Sequence, residues 1–299
     1  MFRKAQRTSA KLKIGISAPS GAGKTYSALL MAYGMCGDWE RIAVIDTENG
    51  SAELYSHLGG YSVCPIAPPF TPKKYIEAIN EAEKAGFEVL IIDSLSHAWN
   101  GVGGLLEMQD KATKASKSGN SYTAWREVTP EHNRLVDAIL QSDIDVIVTT
   151  RAKSEYVMQQ DNGKTTVKKV GLAPVFRDGL EYELTVFFDL SQEHIATASK
   201  DRTGIFDGQN FIPTAETGKQ LVAWRNGGVV PTVKEPVKQE ENEAEGEEEF
   251  PPESYKCAVC GKVITKKLFE QSLKKYGTPL CSAECRDQVL AAGEIGGNE

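Results

Sequence analysis

The sequence contains no long apolar run, and this absence excludes several classes of protein. No stretch of about eighteen consecutive apolar residues occurs in the 299-residue chain, so we expect no membrane-spanning helix. The basic residues near the start are not followed by an apolar stretch, which is unlike a secretory signal peptide. These two absences predict a protein of the cytoplasm that has no membrane partner.

The chain also has no excess of basic residues. Its net charge is −7, and this charge comes from one segment. Residues 234–253 contain nine glutamates and two lysines, and the rest of the chain is electrically neutral. Residues 226–253 contain several prolines and almost no large apolar side chains. We therefore predict an acidic disordered linker at 226–253, and the acidic pI does not exclude nucleic-acid binding elsewhere.

Before that linker, short apolar runs alternate with helical patterns. Continuous runs such as residues 89–92 are typical of strands covered on both faces. The alternation predicts an α/β domain at 1–225 with a mostly parallel sheet, and the strand-like residues 182–190 and 193–199 predict antiparallel strands at its end. The predicted strands are 11–17, 41–46, 63–67, 87–93 and 145–150, and the predicted helices are 24–35, 72–85 and 124–141.

Residues 14–26 combine an apolar strand, a loop with two glycines and the start of a helix, as a P-loop requires. Gly21 and Gly23 allow successive backbone amides to point at a phosphate, and the helix N-terminus adds partial positive charge. We expect Lys24 to reach the β- and γ-phosphates of ATP and Thr25 to ligate Mg²⁺. Ala18 stands where the motif usually has glycine. The predicted nucleotide ligands are Ser20, Gly21, Ala22, Gly23, Lys24, Thr25, Tyr26 and Asp93.

Two further strands end in carboxylates. The apolar run 89–92 ends at Asp93, where a carboxylate beside the P-loop can hold Mg²⁺. The strand after the P-loop helix ends in Asp46-Thr47-Glu48, and residues at the carboxyl ends of parallel strands face the ligand crevice. We predict that Glu48 activates the attacking water; a helix-capping acid is the alternative.

These motifs, in this order, make residues 10–225 resemble the RecA-like P-loop ATPases. The resemblance is closest to the phage-encoded AAA-type nucleotide-binding proteins, some of which are single-strand-annealing recombinases. Asp46-Thr47-Glu48 resembles the RecA element that supplies the catalytic glutamate, and Ile92-Asp93-Ser94 resembles its Walker B strand. If the protein is phage-encoded, its cytoplasm is that of the bacterial host.

The resemblance also assigns roles to three later residues. Thr150 takes the place of the γ-phosphate sensor, where RecA has glutamine, at the end of the strand 146–151. Lys200 and Arg202, in Ser199-Lys200-Asp201-Arg202, match a basic pair that reaches across a subunit interface to the neighbour's ATP. A charged turn before Gly204 is the alternative for this pair.

The same resemblance implies single-stranded DNA and further copies of the chain as partners. Residues 153–169 correspond to a mobile DNA-binding loop and contain four lysines, Tyr156 and a polar tip. Residues 111–120 contain three lysines and correspond to a first DNA loop. Cations for phosphate and an aromatic ring for stacking suit a single strand. Two solvated hairpins are the alternative.

Cysteine is sparse but clustered, with four of six residues near the C-terminus. Cys36 and Cys64 are expected to be ordinary core residues. Two close pairs in tight turns, in a segment too short for its own core, predict a zinc-stabilised module at 254–286 before a flexible tail at 287–299. Seven basic against two acidic residues suit nucleic acid or an acidic partner, and a purely structural zinc site is the alternative. The predicted zinc ligands are Cys257, Cys260, Cys281 and Cys285.

The sequence as a whole predicts an ATP-hydrolysing, single-stranded-DNA-binding protein of recombination or annealing. It would act as an oligomer with ATP at the subunit interfaces, and a single-strand-binding or replication protein is a further candidate partner. One alternative is a replication accessory ATPase of helicase or helicase-loader type. The other is a nucleotide-controlled binding switch with little turnover.

Overall fold

The computed structural model describes residues 10–116, 119–161, 164–227 and 255–291. It describes the backbone alone at 154–161, 164–172, 266, 286, 290 and 291. Contacts divide the chain into two compact units, residues 1–234 and 235–299. The predicted acidic linker lies almost entirely outside the described residues. No described helix combines the length and the apolar composition that crossing a membrane requires.

The larger unit is built on a mixed sheet. Among its described strands, β3, β2, β4, β5, β1 and β7 are neighbours in this order, and each adjacent pair is parallel. Strands β8 and β9 continue the sheet antiparallel to β7, as the sequence predicts. The strands are β1 (Lys13–Ala18), β2 (Ile42–Asp46), β3 (Ser62–Pro65), β4 (Val89–Asp93), β5 (Asp145–Asp161), β6 (Lys164–Pro174), β7 (Val186–Leu190), β8 (Ala196–Asp201) and β9 (Asn210–Phe211).

Helix boundaries follow local signals in the sequence. Helix α2 begins with Pro72 at its first turn and ends before Gly86, whose φ of 81° suits a helix C-terminus. Helix α5 begins at Ser121, earlier than predicted, because the Asn120 side chain accepts a hydrogen bond from the Tyr122 amide. The helices are α1 (Lys24–Cys36), α2 (Pro72–Ala85), α3 (Ser96–Asn100), α4 (Leu105–Ala115), α5 (Ser121–Gln141), α6 (Leu180–Glu183) and α7 (Ala215–Arg225).

Two apolar clusters cover opposite faces of this sheet. Val89 and Ile91 of β4 belong to one cluster, with side chains of α1 and α7, whereas Leu90 and Ile92 belong to the other, with side chains of α2 and α5. Successive side chains of a strand point to opposite faces. All five residues of β4 are buried, so its continuous apolar run is that of a central strand.

Helices α1 and α7 approach each other closely through glycine. A Cβ atom added at Gly34 would lie 1.8 Å from the Ala215 carbonyl oxygen, and one at Gly218 would lie 2.1 Å from that of Met31. No larger residue fits at these positions without moving a helix backbone. Helix α7 therefore holds α1, whose N-terminus forms part of the candidate site.

Both segments predicted as DNA loops have regular structure in their described parts, and hairpins were the alternative for them. The backbone of residues 152–161 pairs antiparallel with that of 164–174, which makes the later segment a long hairpin of β5 and β6. Lys111 and Lys114 lie on helix α4, and Lys111 pairs with Glu107 at 2.6 Å. Lys117 lies outside the described residues. The prediction of a buried Cys64 is also wrong, since Cys64 is exposed on β3.

The smaller unit contains helices α8 (Lys266–Tyr276) and α9 (Ala283–Ala291) and a short antiparallel bridge between Lys256 and Val263. Its described buried residues include Cys257, Leu280 and Cys285. Helix α9 continues beyond residue 286, where the sequence predicts a tail. Cysteine sulfur thus occupies much of the small interior of this unit.

Candidate active site

The loop between β1 and α1 turns through Gly21 and Gly23, which have φ angles of 84° and 87°. Such left-handed angles favour glycine. The Lys24 ammonium folds back over this loop and donates to the carbonyl oxygens of Ala18 at 3.3 Å and Pro19 at 3.1 Å. Burial lowers the pKa of Lys24. A phosphate oxygen would be a stronger partner for this ammonium than the two neutral carbonyl groups.

Thr25 and Asp93 meet beside this loop. The Thr25 hydroxyl donates to Asp93 Oδ2 at 2.5 Å, and the Thr149 hydroxyl donates to Asp93 Oδ1 at 2.6 Å. Burial raises the pKa of Asp93, and the two hydroxyl groups act in the opposite direction. A hydroxyl oxygen next to a buried carboxylate is a hard oxygen donor set, and a cation would offset the buried charge. These residues therefore fit Mg²⁺.

The ends of β2 and β4 are joined by side-chain hydrogen bonds. Asp46 accepts from the backbone amides of Glu48 at 2.7 Å and Ala52 at 3.0 Å, and so shapes the turn after β2. The Thr47 hydroxyl accepts from the Ser94 amide at 2.9 Å. It also lies 2.8 Å from His97 Nδ1. These contacts hold Glu48 at the same sheet edge as Asp93.

Glu48 is held by two donors. The Ser94 hydroxyl donates to Oε1 at 2.9 Å, Arg151 Nε donates to the same oxygen at 2.9 Å, and a terminal guanidinium nitrogen donates to Oε2. Partial burial raises the pKa of Glu48, but the hydrogen bonds from Arg151 and Ser94 outweigh burial and the net pKa lies below the ordinary value. Glu48 is therefore ionised at neutral pH.

One cleft of about 260 Å³ collects these groups. Seven of the predicted site residues line it, together with three residues that sequence reasoning did not assign to it: Ser51, Tyr55 and Arg151. The cleft combines cations, carboxylates and glycine backbone at one sheet edge, as binding of a polyphosphate with a metal ion requires. The predicted residues that line it are Ser20, Gly21, Gly23, Lys24, Thr25, Glu48 and Asp93.

Other predicted residues lie elsewhere. Thr150 is fully buried, its hydroxyl has no hydrogen-bond partner among the described residues, and it does not line the cleft. Successive strand residues face opposite ways, so Thr149 and Arg151 reach the site and Thr150 does not. Ala22 is buried in the loop. Tyr26 is 40% exposed and packs against Tyr55, at 5.7 Å between ring centroids.

The predicted trans-acting pair also lies away from the cleft. The Lys200 ammonium donates to the backbone carbonyls of Tyr182 and Leu184. The Arg202 guanidinium donates to the Tyr182 carbonyl at 2.8 Å. Lys200 lies near the end of β8, where this strand pairs with β7, and Arg202 directly follows β8. Neither contributes to the cleft of its own chain.

Sequence reasoning missed several residues at the site, of which Arg151 is the most prominent. Ser94 and Thr149 hydrogen-bond to the two candidate functional carboxylates, and His194 Nδ1 lies 3.0 Å from the Ala22 carbonyl of the loop. One signal was available for Arg151, because it follows the apolar part of β5 at the same sheet edge as Asp93. For His194, on the turn between β7 and β8, no sequence signal points to the loop.

The smaller unit holds a separate candidate metal site. Its four cysteine sulfur atoms all lie within 4.8 Å of one another. The distances of 3.4 Å from Cys260 to Cys281 and 3.5 Å from Cys281 to Cys285 exceed the roughly 2.05 Å of a disulfide. Tetrahedral zinc with bonds of about 2.3 Å places its sulfur ligands about 3.8 Å apart. The four thiols, Cys257, Cys260, Cys281 and Cys285, therefore fit a structural zinc site.

Comparison with known proteins supports the assignment of the larger unit. A search of curated proteins gives no match. Residues 10–219, which include every element of the cleft, match the AAA domain family. The match covers more than half of the chain, and the mostly parallel sheet with its glycine loop agrees with it. The chain therefore belongs to the AAA domain family of P-loop nucleotide-binding ATPases.

Proposed function

We propose that the protein hydrolyses ATP and uses the nucleotide to act on single-stranded DNA in recombination or annealing. The observation that carries the ATPase activity is the convergence of Lys24, Thr25, Asp93 and Glu48 on one cleft. These four residues come from two elements, α1 and β4, and from the turn after a third, β2, and the fold brings them to a single edge of the sheet.

The chemistry follows from the positions of these groups. Lys24 and the loop amides bind the β- and γ-phosphates, and Thr25 and Asp93 hold Mg²⁺, which when bound neutralises charge on the phosphate oxygens. Glu48 orients a water and accepts its proton. The water oxygen then forms a bond to the γ-phosphorus while the bond from that phosphorus to the ADP oxygen breaks, with the electron pair leaving on ADP.

The DNA-binding part of the proposal is supported by the hairpin of β5 and β6. Its sequence contains Lys153, Tyr156, Lys164, Lys168 and Lys169, which offer cations for phosphate and an aromatic ring for a base. The hairpin starts beside the cleft, because the Arg151 carbonyl accepts from the Val175 amide at 2.6 Å. Nucleotide binding at the cleft is therefore adjacent to the base of the hairpin.

We also propose that copies of the chain assemble with ATP at their interfaces and that the smaller unit binds zinc. The exposed Arg202 and the adjacent Lys200 are the candidate contacts to a neighbour's nucleotide. Zinc would stabilise a unit whose described core is small. The exposed Lys267, Lys274 and Lys275 of α8 then offer a surface to nucleic acid or to a single-strand-binding or replication protein.

One observation favours a second candidate, a nucleotide-controlled switch with little turnover. Glu48 is paired with Arg151, and a carboxylate engaged in this way is a poor acceptor for the proton of water. In a switch, the nucleotide state alone would control the hairpin and the binding of partners.

The decisive measurement is the rate of ATP hydrolysis by the full chain with and without single-stranded DNA, at fixed salt. We expect turnover that rises on addition of single-stranded DNA and rises less with the same sequence as a duplex. Tight ATP binding with negligible turnover in both conditions would support the switch. Turnover unaffected by DNA would reject the DNA part, and strand unwinding would indicate the helicase type.

A further inference from the structure

Arg151 and Glu48 form a bidentate ion pair at the cleft. Two guanidinium nitrogens of Arg151 donate to the two carboxylate oxygens of Glu48. Both residues line the same cleft as Lys24 and the glycines of the loop. The cation that neutralises Glu48 is therefore also within the space where a polyphosphate would bind.

The backbone of Arg151 is fixed, whereas its side chain is accessible. The Arg151 amide donates to the Ser96 hydroxyl at 2.9 Å, and its carbonyl accepts from Val175 at 2.6 Å. The side chains of Arg151 and Glu48 are 46% and 21% exposed. Ion pairs with this exposure are worth at most about 1 kcal/mol, so a competing anion can break the pair without unfolding its surroundings.

A terminal phosphate is such a competing anion. Its oxygens match the guanidinium fork as well as a carboxylate does, and they carry more charge. A diphosphate bound by the loop and Lys24 lacks this last group. Competition for Arg151 would therefore depend on the presence of a γ-phosphate.

We propose that Arg151 is a latch on Glu48, which it holds until the terminal phosphate of a nucleoside triphosphate takes over the guanidinium and frees the carboxylate. The latch rests on the proposed nucleotide site but not on the DNA-binding part. It makes Arg151 the residue that distinguishes a triphosphate from a diphosphate. It also explains how a paired Glu48 serves as a base, because the carboxylate is released only when the reacting phosphate is present.

The test is a double-mutant cycle on nucleotide affinity, measured by calorimetry on the full chain with Mg²⁺. The probes are ADP and AMP-PNP, an ATP analogue that is not hydrolysed. We expect Arg151→Ala to weaken AMP-PNP binding by about tenfold. Glu48→Ala should tighten it by at most about fivefold, because an exposed ion pair contributes no more than that, and ADP affinity should change by less than about twofold in both variants. In the Arg151→Ala background, Glu48→Ala should no longer tighten AMP-PNP binding.

Tightening that persists without Arg151 would overturn the latch, because Glu48 would then act only by repelling the phosphate. Equal losses for ADP and AMP-PNP in Arg151→Ala would overturn it as well. If the wild-type chain bound neither nucleotide, the proposed function itself would fail.

Arg41→Ala is the matched control, because it breaks a similar ion pair between Arg41 and Glu88, whose side chains are 49% and 40% exposed. Neither residue lines the cleft. If circular dichroism shows that the Arg151→Ala protein is unfolded, Arg151→Gln takes its place in the cycle.

Discussion

The hydroxyl of Thr25 donates a 2.5 Å hydrogen bond to the carboxylate of Asp93, 68 positions further along the chain. Thr149 donates to the other oxygen, and Asp93 is 1% exposed. Two neutral hydroxyl groups only partly offset the cost of burying a carboxylate. We therefore expect this arrangement to stabilise a bound cation and to lower the stability of the unliganded fold.

Asp93→Asn is therefore expected to raise the melting temperature of the unliganded protein by a few degrees, equivalent to about 1 kcal/mol. Burial raises the pKa of Asp93, so the folded protein favours the protonated carboxyl. The contribution of this group to the free energy of unfolding is therefore present at low pH and is lost as pH rises through the folded pKa. The advantage of the variant should thus be seen at neutral pH and shrink toward about pH 4. Mg²⁺ and AMP-PNP together should stabilise wild type further in the same thermal scan, and the variant should lose this gain.

Asp189→Asn provides the control, because burial also raises the pKa of Asp189 and this residue does not line the cleft. It should keep the stabilisation by nucleotide. An unliganded Asp93→Asn protein that melted below wild type at neutral pH would contradict the cation-site interpretation.

Substitutions of the cleft residues Lys24 and Glu48 should affect nucleotide binding and turnover differently. Lys24→Ala is expected to abolish hydrolysis, because Lys24 is the cation of the phosphate loop. Glu48→Gln should bind ATP at least as tightly as wild type, while turnover falls by about 10² or more because an amide cannot accept the proton of water. Rate and dissociation constant are measured together. Glu53→Gln, an exposed change near the same turn, should be neutral. Wild-type turnover in Glu48→Gln would remove the assignment of Glu48 as the base.

The parts of the fold that sequence predicts well are those set by neighbouring residues. Helix α2 has the predicted bounds because Pro72 and Gly86 mark its two ends. The P-loop and Asp93 follow from a contiguous motif and from an apolar run. For residues 153–169 the sequence left a DNA loop and a solvated hairpin as alternatives, because polar segments give no regular apolar pattern that would distinguish them. The backbone pairing of β5 with β6 shows the hairpin.

The pairing of Arg151 with Glu48 could not be predicted, because the two residues are remote in sequence. Arg151 and Glu48 are separated by 103 positions, and their contact depends on the order of the strands that carry them. The resemblance to RecA-like ATPases placed the phosphate sensor at Thr150, one residue away. Neighbouring residues of a strand point to opposite faces of the sheet, so an error of one residue in the alignment assigns the role to a side chain on the other face.

Zinc content gives a direct test of the smaller unit. We expect one zinc per chain in protein purified without chelator, and less than about half an equivalent in Cys257→Ser/Cys260→Ser, because two thiolates do not form a closed tetrahedral site. Metal analysis by mass spectrometry checks both values. Cys64→Ser, which changes an exposed cysteine of the other unit, should retain its zinc. Less than half an equivalent in wild type would contradict the prediction.

Assembly in trans predicts complementation between two inactive proteins. Arg202 is exposed and donates to a neutral carbonyl of Tyr182, a partner that a phosphate oxygen can replace. If Arg202 acts on the nucleotide of a neighbouring subunit, Arg202→Ala should bind ATP normally and hydrolyse it slowly, at a cost of about 2–4 kcal/mol of barrier. Mixed with Lys24→Ala, it should regain activity, since one protein contributes an intact P-loop and the other an intact Arg202.

The control mixture replaces Lys24→Ala with the double variant Lys24→Ala/Arg202→Ala, which assembles in the same way but offers no Arg202. Activity that returns with the single variant and not with the double variant assigns the rescue to Arg202 of the neighbour. Lys200→Ala should behave as Arg202→Ala does, because its ammonium donates to carbonyls of the same segment. No rescue at any mixing ratio, with co-assembly shown by size-exclusion chromatography, would leave a cis-acting ATPase. Because neither cation lines the cleft of its own chain, that outcome would also remove both residues from the catalytic machinery.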